Sequence, residues 1–266
     1  MSKKTVYKII SCLTLMGSII LHTTVFAQQR FTKQGEIEFE KRINMYAFIK
    51  KALSGNKEQA AYMERYFEQY KTTQPQFSTM KSVLKFSGAT TLFTPVKETE
   101  VQPNNFFNNM PGVNQVNTIQ TDLEDKTSII QKSVFEETFL IKDSLRKINW
   151  KITDETREIA GYPCRRANAL VMDSIYVVAF YTDKIPVSGG PETFTGLPGM
   201  ILGLALPHDH ITWFATRVND MPMAKNVLTA PAKGKPMNQT EFIATLQTAF
   251  KRWGDYAKPY MRFLLL

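Results

Sequence analysis

From residue 128 to residue 218 the chain reads as one strand after another, with no helical stretch between them. Parallel pairing needs a crossover of a dozen or more residues, so strands that follow so closely pair antiparallel, and a doubly wound α/β fold is excluded. Ile148, Trp150 and Ile152 alternate with Lys147, Asn149 and Lys151, which predicts a strand with one wet face. Residues 164–171 and 174–181 read as a hairpin turning at Met172-Asp173. Residues 175–181 are apolar on both faces, so they belong in the middle of a sheet. Residues 200–206 and 211–218 form another hairpin, around Pro207-His-Asp-His210.

The flanks complete the same picture. Ile37, Phe39 and Ile43 fall among charged residues with a period of two, a first strand over 34–45. Residues 77–93 predict two strands joined at Ser87-Gly88. Between them, residues 57–71 carry Tyr62, Tyr66 and Tyr70 four apart, beside Met63 and Phe67, a helix packed on the sheet by its aromatic stripe. Asn238 or Thr240 caps a second helix with Phe242, Leu246, Phe250 and Trp253 on one side, stopping at Gly254. The expected fold class is α+β: a twisted antiparallel β-sheet or half-barrel of about nine strands, with two main helices packed on it. Residues 96–127 hold Pro103, Pro111-Gly112 and few large aliphatics, and read as a flexible loop or insertion.

The N-terminus reads as a secretory signal peptide over residues 1–27. Lys3, Lys4 and Lys8 precede an apolar stretch over 9–21, and Val25-Phe26-Ala27 supplies a small-x-small cleavage site. The apolar stretch falls short of the roughly 20 residues that span a bilayer. Residues 28–266 are then a single domain with no further transmembrane segment, and 263–266 (Phe-Leu-Leu-Leu) read as a docked tail. The formal charge of +9 drops to +6 once those three lysines leave. The remaining basic residues are scattered among acids, as in Lys142-Asp143 and Arg146-Lys147, which favours a solvated surface over a nucleic-acid stripe. Of the two cysteines only Cys164 remains, so no internal disulfide forms, and the thiol is buried, reactive or paired with another molecule.

No Walker loop, dinucleotide fingerprint, G-x-S-x-G, H-E-x-x-H or C-x-x-C is present. His208 and His210 are the one cluster with ligand chemistry. Two apart on a strand they face the same way, and neutral imidazoles suit zinc or copper. Arg165 and Arg166 follow Cys164 and would depress its pKa if both reached the thiol, but alternation allows only one. The segment Thr193-Phe-Thr-Gly-Leu-Pro-Gly-Met-Ile-Leu-Gly203, with Pro186, Gly189, Gly190 and Pro191 before it, is a stiff, sharply turned excursion between two strands. It is either a recognition surface or a structural corner, and it contains no acid, base or nucleophile set.

The ordered series Ile159-Ala-Gly-Tyr-Pro-Cys164, Ala179-Phe-Tyr-Thr-Asp-Lys-Ile-Pro186, Gly190-Pro191 and Phe194-Thr-Gly-Leu-Pro-Gly-Met-Ile-Leu202 resembles the GLPGLI family of exported Bacteroidetes proteins, with Met200 where the family name has Leu. The resemblance covers about residues 135–220. It implies a Gram-negative envelope protein, periplasmic or associated with the outer membrane, and a structural or binding role for Gly161, Tyr162, Cys164, Pro186, Pro191, Gly196, Leu197, Pro198 and Gly199. It brings no activity and no catalytic residues. The expectation is a non-enzymatic module that binds an apolar small molecule or an envelope protein partner. The alternatives are a metal-handling protein using His208, His210 and Cys164, and a hydrolase; Asp143, Asp154 and Asp183 exist for the latter, but nothing in the sequence pairs them.

Overall fold

The computed structural model describes residues 31–53, 57–96, 107–114 and 117–266. The chain divides into residues 1–30 and a compact unit, Phe31–Leu266. The expected signal peptide and its cleavage site lie outside the described residues, as do 97–106, 115 and 116 of the expected loop.

The described residues form twelve strands in one sheet: β1 (Gln34–Asn44), β2 (Phe77–Ser87), β3 (Thr90–Pro95), β4 (Asn117–Asp122), β5 (Thr127–Val134), β6 (Glu137–Ser144), β7 (Lys151–Ile159), β8 (Tyr162–Val171), β9 (Ile175–Thr182), β10 (Met200–Leu206), β11 (Ile211–Asp220) and β12 (Lys235–Met237). Across the sheet the order is β12-β6-β5-β4-β3-β2-β1-β11-β10-β9-β8-β7. Every pairing is antiparallel except β12 on β6, which is parallel. Four helices accompany it: α1 (Met45–Leu53), α2 (Lys57–Thr73), α3 (Gln239–Ala249) and α4 (Ala257–Leu264).

The expected nine-strand antiparallel sheet or half-barrel with two helices is therefore corrected to a twelve-strand mixed sheet with four helices. The discrepancies have local causes. β4 lies inside the segment read as a loop and holds a single large aliphatic, Ile119, so its sequence carries little apolar alternation. β12 is three residues with a proline. The strand expected over 148–152 lies instead at β7, and Ile152 is exposed. α1 begins directly where β1 ends, with Asn44 Oδ1 accepting from the Ala47 N–H at 3.2 Å, so no turn residues announce it.

Elsewhere the pattern and the structure agree. β8 and β9 turn at Met172-Asp173, both with positive φ, and β10 and β11 turn through Pro207–Asp209. Asn238 caps α3 in a reciprocal box with Glu241. In α2, Phe67 and Tyr70 are buried while Tyr66 is exposed; Tyr70 meets Tyr46 of α1 edge-on at 6.4 Å and Phe107 at 5.6 Å. Inward side chains from β1, β2, β4, β5, β6 and β11 share one continuous apolar core with Phe48 of α1, Phe242 of α3 and Leu264 of α4.

Candidate functional site

Two inward positions of the sheet break its apolar alternation. Lys41 falls in phase with Ile37, Phe39 and Ile43 on β1, and Lys132 with Ile130 and Val134 on β5, so each points where its neighbours point and is buried. Lys41 Nζ donates to the Gly112 carbonyl at 2.6 Å and lies 5.2 Å from the Trp213 ring centre. Lys132 Nζ donates to the Leu264 carbonyl at 2.6 Å, 5.9 Å from the Phe242 ring. Burial lowers both ammonium pKa values to about 8, and the Glu192 carboxylate opposes that shift in each case.

Glu192 belongs to the loop between β9 and β10, and its backbone is left-handed (φ 53°), an unusual conformation for a glutamate. It accepts from Asn117 Nδ2 of β4 at 2.9 Å. Next to it, Thr193 Oγ1 donates to the Leu266 carbonyl at 2.7 Å, and Arg146 Nη2 donates to the Leu265 carbonyl. Lys132, Arg146 and Thr193 thus take three successive carbonyls at the end of α4, where the helix's own ladder leaves such groups without partners. Residues 263–266 are docked by these bonds and by the burial of Leu264. Arg146, expected on a solvated surface, is half-buried.

The loop that supplies Glu192 and Thr193 is the glycine- and proline-rich segment. Ile185, Val187, Pro191, Phe194, Leu197 and Gly199 are buried, whereas Pro186, Gly196 and Pro198 are exposed. Ser188 Oγ donates to the Leu197 carbonyl at 2.6 Å and Trp150 Nε1 to the Thr195 carbonyl at 2.9 Å. Gly199, at φ +151°, runs so close to β9 that a Cβ there would lie 2.1 Å from the Thr182 carbonyl oxygen. Gly161 sits with Ala160 in the two-residue turn between β7 and β8, both at positive φ, as a type I′ hairpin requires, and Tyr162 pairs with Ile159. Cys164 is fully buried; its Sγ donates to the Tyr162 carbonyl at 3.4 Å, and burial pushes its pKa up to about 12.

The Pro207-His-Asp-His210 turn sends its groups in different directions. His208 and His210 are exposed, and His208 packs its ring 6.0 Å from Tyr176. Asp209 is buried, with Lys51 Nζ of α1 on Oδ1 at 2.7 Å and Arg262 of α4 on Oδ2. Among the described residues no group of three His, Cys, Asp or Glu side chains is placed to share a metal ion. Asp209 and Arg262 stand at the wall of a cavity of about 320 Å³ whose other walls include Phe48, Ala52, Met110, Tyr260 and Phe263. Phe48 and Phe263 pack together in its wall, their ring centres 5.6 Å apart. The Arg262 Nε is buried and has no hydrogen-bond partner.

Sequence reasoning missed Lys41, Lys132, Arg146, Glu192 and Arg262. A signal for the lysines was present: Phe39-x-Lys41-x-Ile43 and Ile130-x-Lys132-x-Val134 put a cation on the apolar phase of a strand. No such signal marks Arg146 or Arg262, because their burial comes from segments distant in sequence.

A family model described as a protein of unknown function (Porph_ging) matches residues 170–203. The matched stretch runs from the end of β8 through β9 and the motif loop into β10. No curated protein matches the chain. Among solved structures, PNGF-II in its C2 crystal form is similar in fold, with a TM-score of 0.50 at 14% identity over 79% of this chain and 32% of that one. The P21 form of PNGF-II gives a TM-score of 0.49 at 14% identity over 80% of this chain and 33% of that one. The chain thus spans about a third of the length of the solved structures it matches. No helix among the described residues is long and apolar enough to cross a membrane.

Proposed function

We propose that this chain is an exported envelope protein of the GLPGLI type that acts as a non-enzymatic binding module, holding a small apolar molecule with a hydrogen-bond-accepting head. The observation that carries this reading is the 320 Å³ cavity between α1, the 107–114 turn and α4, lined mostly by apolar side chains, with Lys51, Asp209, Lys258 and Arg262 as its charged members. Small-molecule sites usually take this form, a concave apolar pocket with a few convergent polar groups. Asp209 is held by two cations, so it serves as an anchor for Lys51 and Arg262 rather than as a free acid. The Arg262 Nε lacks an acceptor, which a ligand carboxylate or carbonyl supplies. The leader-like residues 1–27 and the resemblance over 135–220 support export. The family match over 170–203 supports the motif loop as the defining part of the body and assigns it no chemistry.

Calorimetric titration of the purified protein with octanoate tests the reading. The expected result is one octanoate per chain, bound about tenfold more weakly by Arg262→Gln and not at all by Ala52→Phe, which fills the cavity. Equal uptake by the wild type and Ala52→Phe, or no uptake by either, would overturn it.

A further inference from the structure

A second cavity, of about 250 Å³, lies beside the motif loop and is lined by Thr121, Ser128, Asp143, Arg146, Thr193 and Gln239. It shares no lining residue with the apolar cavity beside Asp209. Arg146 gives it its character. One guanidinium nitrogen, Nη2, donates to the Leu265 carbonyl, while Nη1 is buried with no hydrogen-bond partner. A buried donor left unmade costs the full desolvation of that group, more for a charged one, so native structures rarely keep one without a partner. Burial lowers the Arg146 pKa, but a guanidinium starts so far above neutrality that it stays charged.

The rest of the wall gives Nη1 no acceptor. Asp143 is its only acid, and its oxygens are already engaged: Oδ2 accepts from the Gln239 N–H at 2.9 Å and Oδ1 from the Ser144 N–H at 2.7 Å. These bonds hold its carboxyl below the usual carboxylate range. The Lys132 ammonium is close enough to Arg146 for the two cations to repel each other. Thr121 of β4 and Ser128 of β5, also in the lining, are direct cross-strand partners and both buried, so two hydroxyls stand side by side there.

We infer that this cavity is a binding site for a small oxyanion, held by Arg146 Nη1 and by the Thr121–Ser128 hydroxyl pair. Guanidinium forks and hydroxyls are the donors that carboxylate and phosphoryl oxygens take. The ligand docks with Thr193 beside it, so occupancy bears on the same loop that holds the Leu266 carbonyl.

The test is titration of the full chain with inorganic phosphate and, separately, with acetate, followed by calorimetry and by amide chemical shifts. One saturable site is expected for at least one of the two anions, with shifts at Thr121, Ser128 and Arg146. Arg146→Gln should weaken it at least tenfold. Because Arg146 also holds the Leu265 carbonyl, Ser128→Ala and Thr121→Val provide the same readout on chains whose α4 contacts are intact, and each should weaken binding several-fold. Saturation by phosphate alone marks a phosphoryl ligand, and saturation by acetate marks a carboxylate; both support the site. Absence of saturation by either anion, or saturation unchanged in Ser128→Ala and Thr121→Val, overturns it.

Discussion

Lys41 and Lys132 set the pH response of the protein. Both pKa values fall from 10.5 to about 8 because the charged form is buried. Between about pH 8 and 10.5 the unfolded chain therefore carries lysine protons that the folded chain has released, and stability rises with pH. Cys164, raised from 9.0 to about 12, acts in the opposite sense above pH 9, and Tyr70, raised from 10.0 to about 12, above pH 10. The net gain is thus concentrated between pH 8 and 9, about 2 kcal/mol for the two lysines together. Urea midpoints at those two pH values should show it, and Lys41→Met with Lys132→Met should flatten the profile; a wild-type midpoint that falls from pH 8 to 9 would contradict the assignment. Cys164 should react with a thiol reagent only on unfolding, since its sulfur is both inaccessible and protonated. Gly199→Ala should cost about 3 kcal/mol, because the added methyl meets the Thr182 backbone and strains the loop, and thermal melting measures it directly.

At the scale of elements, the chain announces those with strong periodicity and hides those that depend on context. The β8–β9 and β10–β11 hairpins and the α3 cap are legible because alternation, turn residues and the Asn238–Glu241 pair are all local signals. Asn238→Ala should destabilise by about 1 kcal/mol through α3, readable as a drop in melting temperature with β-sheet signal retained. β4 was not legible, because Asn117 and Asp122 are turn residues and Ile119 is its one large aliphatic, so pairing between β3 and β5 decides the matter. The sequence marks a docked tail at 263–266 but not α4 itself, whose hold on the sheet is made by Lys132, Arg146 and Thr193, up to 132 residues away. The outer edges show why the sheet stops. β7 is exposed and charged along most of its length, and β12 is short and contains Pro236, both poor templates for further pairing.

For the whole molecule, the sheet and its helices form two cavities with no lining residue in common. One is apolar and bounded by Phe48, Tyr260 and Phe263; the other is polar and bounded by Arg146, Thr121 and Ser128. The motif loop reads from the sequence as a stiff, sharply turned excursion between two strands, and in the structure its Phe194 and Leu197 are buried. What it does was not legible, because Glu192 and Thr193 bond to Asn117 of β4 and Leu266 after α4, partners that sequence separation conceals. Likewise His208 and His210 drew attention as residue types, whereas the buried member of that turn is Asp209.

The most direct test of the central claim is a native mass spectrum of the protein purified without detergent from its own cells, recorded beside the Ala52→Phe variant. The account predicts a single small organic mass, one per chain, on the wild type and none on the variant. Bare chains in both, together with no octanoate uptake by the wild type, would contradict it.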